Sequence, residues 1–220
     1  MAVFGPVIFN FYGATETGLV TLATPPDLRV APDTIGRPLP GVEVRLLDST
    51  GHDVRPGEIG ELYARSALLF EGYVSDDPAA RACSRDGFFT AGDLARRDAR
   101  GLYFLVGRTK DVINTGGEKV YPHDVERVLE DLPGVTAAAV LGVPDPEWGE
   151  RVEAFVVALP GATIDPDAAQ QHCRERLPAA GVPKRVTVVD DLPRTATGKV
   201  VKRALLERAS AGVTHEGRTP

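Results

Sequence analysis

Residues 11–16 combine a glycine, a hydroxyl and a carboxylate in a pattern that could handle a nucleotide. A strand that stops at Gly13 would let the backbone approach a ligand closely, because glycine has no side chain. The hydroxyl of Thr15 and the carboxylate of Glu16 could then meet a phosphate oxygen and its Mg²⁺ ion, and the ring of Tyr12 could stack on a base. The alternative is a tight turn in which Thr15 and Glu16 are ordinary surface residues.

Two other segments could complete such a site. Asp93 follows Gly92 at the end of a predicted strand, where its carboxylate could accept hydrogen bonds from vicinal ribose hydroxyls or stabilise its own turn. Lys199 follows Gly198 in a threonine-containing loop before a predicted helix, where a mobile cation could neutralise charge developing on a phosphate. The alternative is an exposed lysine at a helix start, which the helix dipole disfavours.

Residues 107–122 are crowded with charge and glycine at a change in sequence pattern. An exposed charged residue at a domain junction can absorb a large backbone rotation without breaking a core. The pair Gly116-Gly117 permits close passage of a narrow ligand chain. A static linker followed by a turn and a helix start explains the same residues equally well.

Hydrophobic patterning divides the chain near Lys110. Before it we predict a mostly antiparallel β unit with strands at 7–11, 42–46, 60–66, 88–90 and 102–106, hairpin turns at 49–52 and 98–101, and a proline-rich loop through Pro25, Pro26 and Pro32. After it we predict helices starting near Pro122 and at 167–177 and 200–209, and strands at 135–143, 152–159 and 185–189. The predicted fold class is therefore α+β, with units at 1–109 and 110–209 and a disordered tail at 210–220.

Composition limits the classes of protein that fit. Of the 220 residues 43% are hydrophobic and 25% are charged, which is typical of a globular protein. No apolar run approaches the ~20 residues of a membrane span, and the N-terminus lacks the pattern of a signal peptide. A net charge of −6 argues against a nucleic-acid partner. The cysteines at 83 and 173 lie far apart and the four histidines are scattered, so we expect a cytoplasmic protein without a metal site made of side chains alone.

In this order and spacing, the four motifs resemble those of the adenylate-forming superfamily of acyl-CoA synthetases, luciferases and peptide-synthetase adenylation domains. The resemblance covers about residues 5–208 and includes the connecting segments 34–38, 60–62, 72–73, 143–145 and 148–150. It implies that residues 1–109 are the C-terminal part of a large AMP-binding domain. Residues 110–209 would then be the small mobile C-terminal domain, joined to it by a hinge.

The resemblance also implies a role for each residue of the motifs, in catalysis, nucleotide binding, domain rotation or CoA binding. The catalytic residues would be Lys199, Thr15 and Glu16, with Glu16 also contacting Mg²⁺; the nucleotide-binding residues Asn10, Phe11, Tyr12, Gly13, Asp93 and Arg108; the hinge Lys110; and the CoA-binding residues Gly116, Gly117 and Glu118. Within these sets, Tyr12 would pack against adenine and Asp93 would hold the ribose hydroxyls.

The implied activity is that of an AMP-forming acid–thiol ligase that uses ATP, Mg²⁺ and coenzyme A. A carboxylic acid, fatty or of another acyl class, would form an acyl-adenylate, and the small domain would then rotate about Lys110 so that the CoA thiol can attack. The acyl substrate is not identified by the sequence, and the acceptor could be CoA or a carrier protein.

Two features depart from the family pattern. The phosphate-binding loop and the large upstream subdomain have no counterpart in residues 1–220, so the chain reads as a fragment or one part of a split enzyme. The expected protein partner is the missing N-terminal half or a second copy of the chain. The alternative is a non-catalytic remnant that binds CoA, nucleotide or a protein. In addition, Ala180-Gly181 replaces the tyrosine-lysine pair of many relatives, which leaves Lys184 or Arg185 as candidates for a CoA phosphate.

Overall fold

The structure, a computed structural model, describes residues 5–71 and 83–213, with side-chain surroundings through residue 207. Its contacts divide the chain into two compact units, Met1–Lys110 and Asp111–Pro220. In the first unit the described elements are β1 (Asn10–Ala14), β2 (Gly18–Ala23), α1 (Pro25–Val30), β3 (Arg37–Pro38), β4 (Glu43–Leu47), β5 (Ile59–Arg65), β6 (Ser84–Arg85), β7 (Phe88–Arg97) and β8 (Tyr103–Arg108).

The first unit is built from two antiparallel sheets. One has the strand order β1-β2-β3, and the other has the order β4-β5-β7-β6 with β8 paired to β7. Strand β4 confirms the alternating pattern of residues 42–46, because Leu46 is buried with Leu62 and Ala95 while Glu43 is exposed. The turn at 49–52 joins Leu47 to Asp53, and Asp98 N donates to Leu102 O across the turn at 98–101, so both predicted hairpins are confirmed.

The prediction of a proline-rich loop at residues 25–32 is wrong in its first part. Pro25 begins the short helix α1, because proline is tolerated where a helix N–H has no partner. The helix start is fixed by Asp27, which accepts hydrogen bonds from the Thr24 amide at 3.0 Å and the Thr24 hydroxyl at 2.6 Å.

The second unit combines a mixed sheet with helices. A 3-10 turn at Thr109–Asp111 crosses the boundary between the two units, and the elements that follow are β9 (Ile113–Thr115), β10 (Glu118–Val120), α2 (Pro122–Glu130), β11 (Val135–Asp145), β12 (Gly149–Ala158), α3 (Pro166–Arg174), a 3-10 turn at Ala179–Gly181, β13 (Arg185–Val189) and α4 (Lys202–Val213). The sheet order is β10-β9-β12-β11, and β13 runs parallel to β12. The predicted α+β fold class is confirmed.

Opposite faces of the second sheet carry separate cores. Val140, Val152 and Val156 pack with Val125 and Leu129 of α2 in one cluster. The residues that alternate with these along the two strands, Leu141 and Phe155 among them, pack with Leu192, which precedes α4, and with Leu205 of α4. This alternation along β11 and β12 explains why both strands read as continuous apolar runs in the sequence.

The last helix continues to Val213, past residue 210 where the sequence predicts a disordered tail, and residues 214–220 lie outside the described part of the chain. The connecting segment 72–73 also lies outside it. No helix among the described residues is long and apolar enough to cross a membrane.

Candidate functional site

Asp93 is the centre of a polar cluster that joins three strands of the first unit. Tyr12 on β1 donates its hydroxyl hydrogen to Asp93 Oδ2 at 2.8 Å, and Arg108 on β8 donates from Nε to Asp93 Oδ1 at 2.9 Å. Asp93 and Arg108 are direct register partners on β7 and β8, which fixes their spacing. The structure therefore brings together three of the predicted nucleotide-binding residues.

The carboxylate of Asp93 keeps the capacity to bind a diol. Each of its oxygens accepts one hydrogen bond, whereas an ionised carboxylate offers about four lone-pair positions. Its side chain is 13% exposed, so one edge reaches solvent. The remaining acceptor positions could accept hydrogen bonds from two vicinal hydroxyls, such as those of a ribose.

The hydroxyl of Tyr12 is held in its protonated form. Burial, and then the negative charge of Asp93 and the hydrogen bond to it, raise the pKa of Tyr12 well above its usual range, and the positive charge of Arg108 opposes this only weakly. Tyr12 therefore acts as a donor to Asp93, and its ring packs at the edge of the apolar cluster of Val20 and Leu46.

The observed bounds of β1 differ from those of the strand predicted at residues 7–11. It begins at Asn10 and continues to Ala14, with a bulge between Tyr12 and Gly13. A Cβ on Gly13 would lie 2.1 Å from the carbonyl oxygen of Gly18, so only glycine allows the close pairing of β1 with β2. The glycine thus serves strand pairing, whereas the sequence suggested close approach of a ligand.

The other predicted residues of β1 and its turn occupy distinct environments. Asn10 donates from Nδ2 to Thr34 O at 3.0 Å, and Phe11 is exposed. Thr15 is exposed and Glu16 is half-buried in the turn between β1 and β2, where Thr17 Oγ1 accepts from the Ala14 amide at 3.0 Å. Asn10 thus connects β1 to Thr34, while Thr15 and Glu16 lie in the turn directly after β1, the strand that carries Tyr12.

The oxygen atoms of Thr15 and Glu16 suit Mg²⁺ bound through a phosphate. Mg²⁺ usually keeps several waters and takes one or two carboxylates together with substrate phosphates. Among the described residues no three His, Cys, Asp or Glu side chains gather into a metal cage. Glu16 supplies one carboxylate and the adjacent Thr15 supplies one hydroxyl. These two residues match the kind of Mg²⁺ site in which one carboxylate and the substrate phosphates hold the ion.

Lys199 lies at the end of a tightly bonded loop of the second unit. Thr195 N donates to Lys199 O at 2.8 Å, Lys199 N donates to Thr195 Oγ1 at 3.2 Å, and Gly198 N donates to Thr195 O at 2.9 Å. Gly198 has φ +84°, which an L-residue rarely adopts. The Lys199 side chain is exposed at the end of this hydrogen-bonded loop.

Gly116 and Gly117 form the two-residue turn of the β9–β10 hairpin. Thr115 pairs with Glu118, and both glycines have positive φ, +58° and +85°, as a type I′ turn requires. Gly116 N also donates to Trp148 O at 2.9 Å. The structure therefore places the predicted CoA-binding glycines in a hairpin, with Glu118 exposed beside them.

Lys110 occupies the position where the two compact units divide. It is exposed and is the middle residue of the 3-10 turn Thr109–Asp111, none of whose residues is buried. None of the apolar clusters of buried residues includes Lys110.

Trp148 packs against the β9–β10 turn and lies close to Lys184, two contacts that the sequence does not predict. Its ring lies within 2.8 Å of the position that a Cβ of Gly116 would take, and Lys184 Nζ lies 5.2 Å from the ring centroid. Lys184 also borders a cavity of about 500 Å³ together with Gln170, Arg174, Leu177, Ala179, Val182 and Pro183. The only signal in the sequence was the presence of Trp148 and Lys184 in separate motifs, and spacing alone does not bring them together.

The sequence model described as AMP-binding enzyme matches residues 1–74, and that described as AMP-binding enzyme C-terminal domain matches residues 124–199. The chain belongs to the adenylate-forming superfamily and corresponds to part of its enzymes.

Several CoA ligases are similar to this chain. Indoleacetate–CoA ligase from Aromatoleum aromaticum is 37% identical over 199 residues, which are 90% of this chain and 39% of that enzyme. Feruloyl-CoA synthase from Amycolatopsis is 43% identical over 166 residues, 76% of this chain and 34% of the relative. ATP-bound MatB from Rhodopseudomonas palustris superposes with a TM-score of 0.86 at 39% identity, over 91% of this chain and 40% of MatB. The chain thus spans about two fifths of the length of the relatives it matches.

Proposed function

We propose that this chain supplies the C-terminal part of an ATP-dependent, AMP-forming acyl-CoA ligase. The observation that carries the proposal is the Asp93 carboxylate, held by Tyr12 and Arg108 with acceptor positions left for a diol. The sequence similarity to CoA ligases and the likeness to ATP-bound MatB support it.

In the proposed complex, Asp93 accepts hydrogen bonds from the ribose hydroxyls and Arg108 supplies a donor for ribose or phosphate. Tyr12 keeps Asp93 oriented through its hydroxyl and offers its ring to adenine, with Phe11 and Gly13 beside it and Asn10 fixing the strand to Thr34. Thr15 contacts the α-phosphate, and Glu16 is the carboxylate that would hold Mg²⁺. When bound, Mg²⁺ supplies positive charge next to the phosphate oxygens.

In the first half-reaction the substrate carboxylate attacks the α-phosphorus of ATP. A mixed anhydride between the carboxylate and AMP forms as the bond from the α-phosphorus to the bridging oxygen breaks, and pyrophosphate leaves. Negative charge grows on the transferring phosphoryl group, and the ammonium of Lys199 stabilises that charge from its hydrogen-bonded loop. Fixed donors are effective here because they need no reorganisation during the step.

In the second half-reaction the CoA thiol attacks the acyl-adenylate, and AMP leaves. We assign the change between half-reactions to rotation at Lys110, the exposed residue between the two compact units. Gly116, Gly117 and Glu118 then border the path of the pantetheine arm, and Lys184 is the candidate cation for a CoA phosphate. Two widely separated cysteines fit a cytoplasmic location for this enzyme.

The proposal is tested with a fusion enzyme in which this chain replaces the matching segment of the Aromatoleum aromaticum indoleacetate–CoA ligase. We expect Lys199→Ala to lower indoleacetate-dependent ATP–pyrophosphate exchange by about 100- to 1000-fold, the range for loss of one transition-state donor. Thiolysis of preformed indoleacetyl-adenylate by CoA should stay within about threefold of the parent, because Lys199 acts only in adenylation. Equal loss of both activities would contradict the assignment.

A second candidate, a non-catalytic module that binds CoA or nucleotide, follows from the match to only two fifths of each relative. Calorimetry of the 220-residue chain with AMP and with CoA, followed by ATP–pyrophosphate exchange, separates the two functions. Binding without exchange by the chain, together with an inactive fusion enzyme, would favour the module. Exchange by the chain alone would exclude it.

A further inference from the structure

Side chains close the outer edge of β11 at Val140. Val140 N donates to Glu126 Oε1 at 2.9 Å, and Val140 O accepts from Lys202 Nζ at 2.9 Å. Lys202 Nζ and Glu126 Oε1 are themselves 3.4 Å apart. Among the described strands β11 pairs with β12 alone, so this ion pair bonds the two groups that a neighbouring strand would bond.

A lysine at the position of Lys202 is electrostatically unfavourable unless a negative charge such as that of Glu126 lies close to it. Lys202 is the first residue of α4, where a positive charge opposes the helix dipole. Its side chain is 31% exposed and that of Glu126 is 19% exposed, so solvent screens the pair less than a surface ion pair. The adjacent Arg203 differs, because its side chain is 89% exposed and its ion pair, with Glu207 at 3.5 Å, lies within the helix.

The Lys202 contact lies at the base of the loop that carries Lys199. Val201 N donates to Pro193 O at 2.7 Å, which closes the loop at its base. Leu192 before the loop and Leu205 after it are buried in one apolar cluster. Lys202 directly follows Val201, and its side chain connects the base of the loop to β11 through the hydrogen bond to Val140 O.

We propose that Glu126 and Lys202 form a latch that positions the Lys199 loop on β11, which makes Lys202 a positioning residue for adenylation. The inference rests on the proposed function of Lys199. A displacement of about 1 Å in a reacting group is enough to cost about 100-fold in rate, so a contact three residues away from Lys199 has a measurable effect.

Hydrogen exchange of the 220-residue chain tests the latch independently of any activity. We expect Lys202→Met to speed amide exchange in the loop at 194–201 by at least about tenfold, while the amides of β12 keep their protection. Arg203→Met removes a charge from the same helical turn and should leave the loop unchanged. Glu126→Gln keeps an oxygen acceptor for Val140 N and should give an intermediate effect.

Two results would overturn the latch. Unchanged exchange in the loop of the Lys202→Met variant would mean that Leu192 and Leu205 fix it without the ion pair. Uniformly faster exchange across the second unit would mean that Lys202 stabilises the fold as a whole and does not position the loop.

The catalytic consequence is measured in the fusion enzyme. We expect Lys202→Met to lower kcat for adenylation by about 10- to 100-fold with the KM for ATP within about twofold, while thiolysis of the preformed adenylate is retained. Lys202→Arg should restore most of the rate, because a guanidinium can donate to both Val140 O and Glu126. Equal loss of both half-reactions in Lys202→Met would refute the positioning role.

If Lys199→Ala leaves adenylation intact, the proposed function fails. The hydrogen-exchange result still decides whether the latch exists.

Discussion

At the scale of single residues, Asp93 shows how the protein's own side chains can orient one carboxylate. Its two oxygens are already oriented by a phenol and a guanidinium that come from different strands. Such partners reduce the freedom that binding would otherwise remove, which is the energetic advantage of a preorganised site. The residue that the resemblance assigned to ribose is therefore also the residue that joins β1, β7 and β8.

The Tyr12–Asp93 contact predicts a specific loss of stability at alkaline pH. The pKa of Tyr12 is raised above its ordinary value of 10.0 by burial and by Asp93, so the folded chain keeps the proton after the unfolded chain has released it. A raised pKa contributes stability that is complete below the unfolded pKa and is lost as the pH rises above it. The stability advantage of the parent over Tyr12→Phe should therefore begin to shrink near pH 10 and continue to shrink as the pH rises further.

Urea unfolding at a series of pH values measures this difference. Other raised tyrosines, Tyr63 and Tyr121, are present in both proteins and cancel in the comparison. Tyr121→Phe serves as a matched control, because it removes a phenol from the second unit and should leave the pH dependence of the first unit unchanged. A difference between parent and Tyr12→Phe that stays constant over the whole range would show that Tyr12 ionises normally in the folded state.

At the scale of secondary-structure elements, the β9–β10 hairpin predicts unequal effects at two neighbouring glycines. Gly116→Ala and Gly117→Ala each place a side chain at positive φ, which costs about 1–2 kcal/mol in the free energy of unfolding. Only at residue 116 would the new Cβ also meet Trp148, at 2.8 Å, whereas position 117 is open. Gly116→Ala should therefore be the more destabilising by about 1 kcal/mol or more.

A double-mutant cycle identifies the cause. In a Trp148→Ala background the two glycine substitutions should become similar in their effect on urea unfolding, because the clash has gone and only the backbone strain remains. If Gly116→Ala stays the more damaging one in that background, the ring of Trp148 is not the reason.

The sequence predicts elements well where the signal is local. Arg185–Val189 is the strand that its β-branched residues indicate, and Pro122 begins α2 as a first-turn proline should. The loop predicted at Pro25 fails because the same residue type is tolerated equally at a helix start, and Thr24 with Asp27 decides the outcome. The strands at 113–115 and 118–120 are too short to carry an alternating pattern, so the sequence did not predict them. The glycine pair between them was the one local feature typical of a hairpin turn.

The candidate site depends more on contacts between distant residues. Tyr12 and Asp93 are 81 positions apart, and nothing in their local sequences gives the 2.8 Å hydrogen bond between them. The resemblance to a family grouped them by role, but the pairing register of β7 and β8 and the bulge in β1 create the geometry. Lys202 was overlooked for the same reason, since its acceptor, Val140 O, is 62 positions away.

At the scale of the whole molecule, the first unit exposes several large apolar side chains in β1 and in the segment directly before it. Val7, Ile8, Phe9 and Phe11 are each at least half exposed, and Leu19 on β2 is 48% exposed. Exposed apolar patches on water-soluble domains occur at interaction sites and at sites of aggregation. The segment before β1 and the strand itself therefore form the part of the chain most prone to association.

We expect the 220-residue chain to associate with itself through this surface at concentrations of about 10–100 μM, because burying two phenylalanines against a partner is favourable by several kcal/mol. The double substitution Phe9→Ser and Phe11→Ser removes both large side chains and should shift sedimentation and light scattering toward the monomer. Val30→Ser serves as the control, because it removes an exposed apolar side chain of the same unit at the end of α1, and it should leave association unchanged. A monomeric parent at the highest concentration would show that this surface is stable in water. Association that survives in the double variant and is lost in the control would place the contact elsewhere on the first unit.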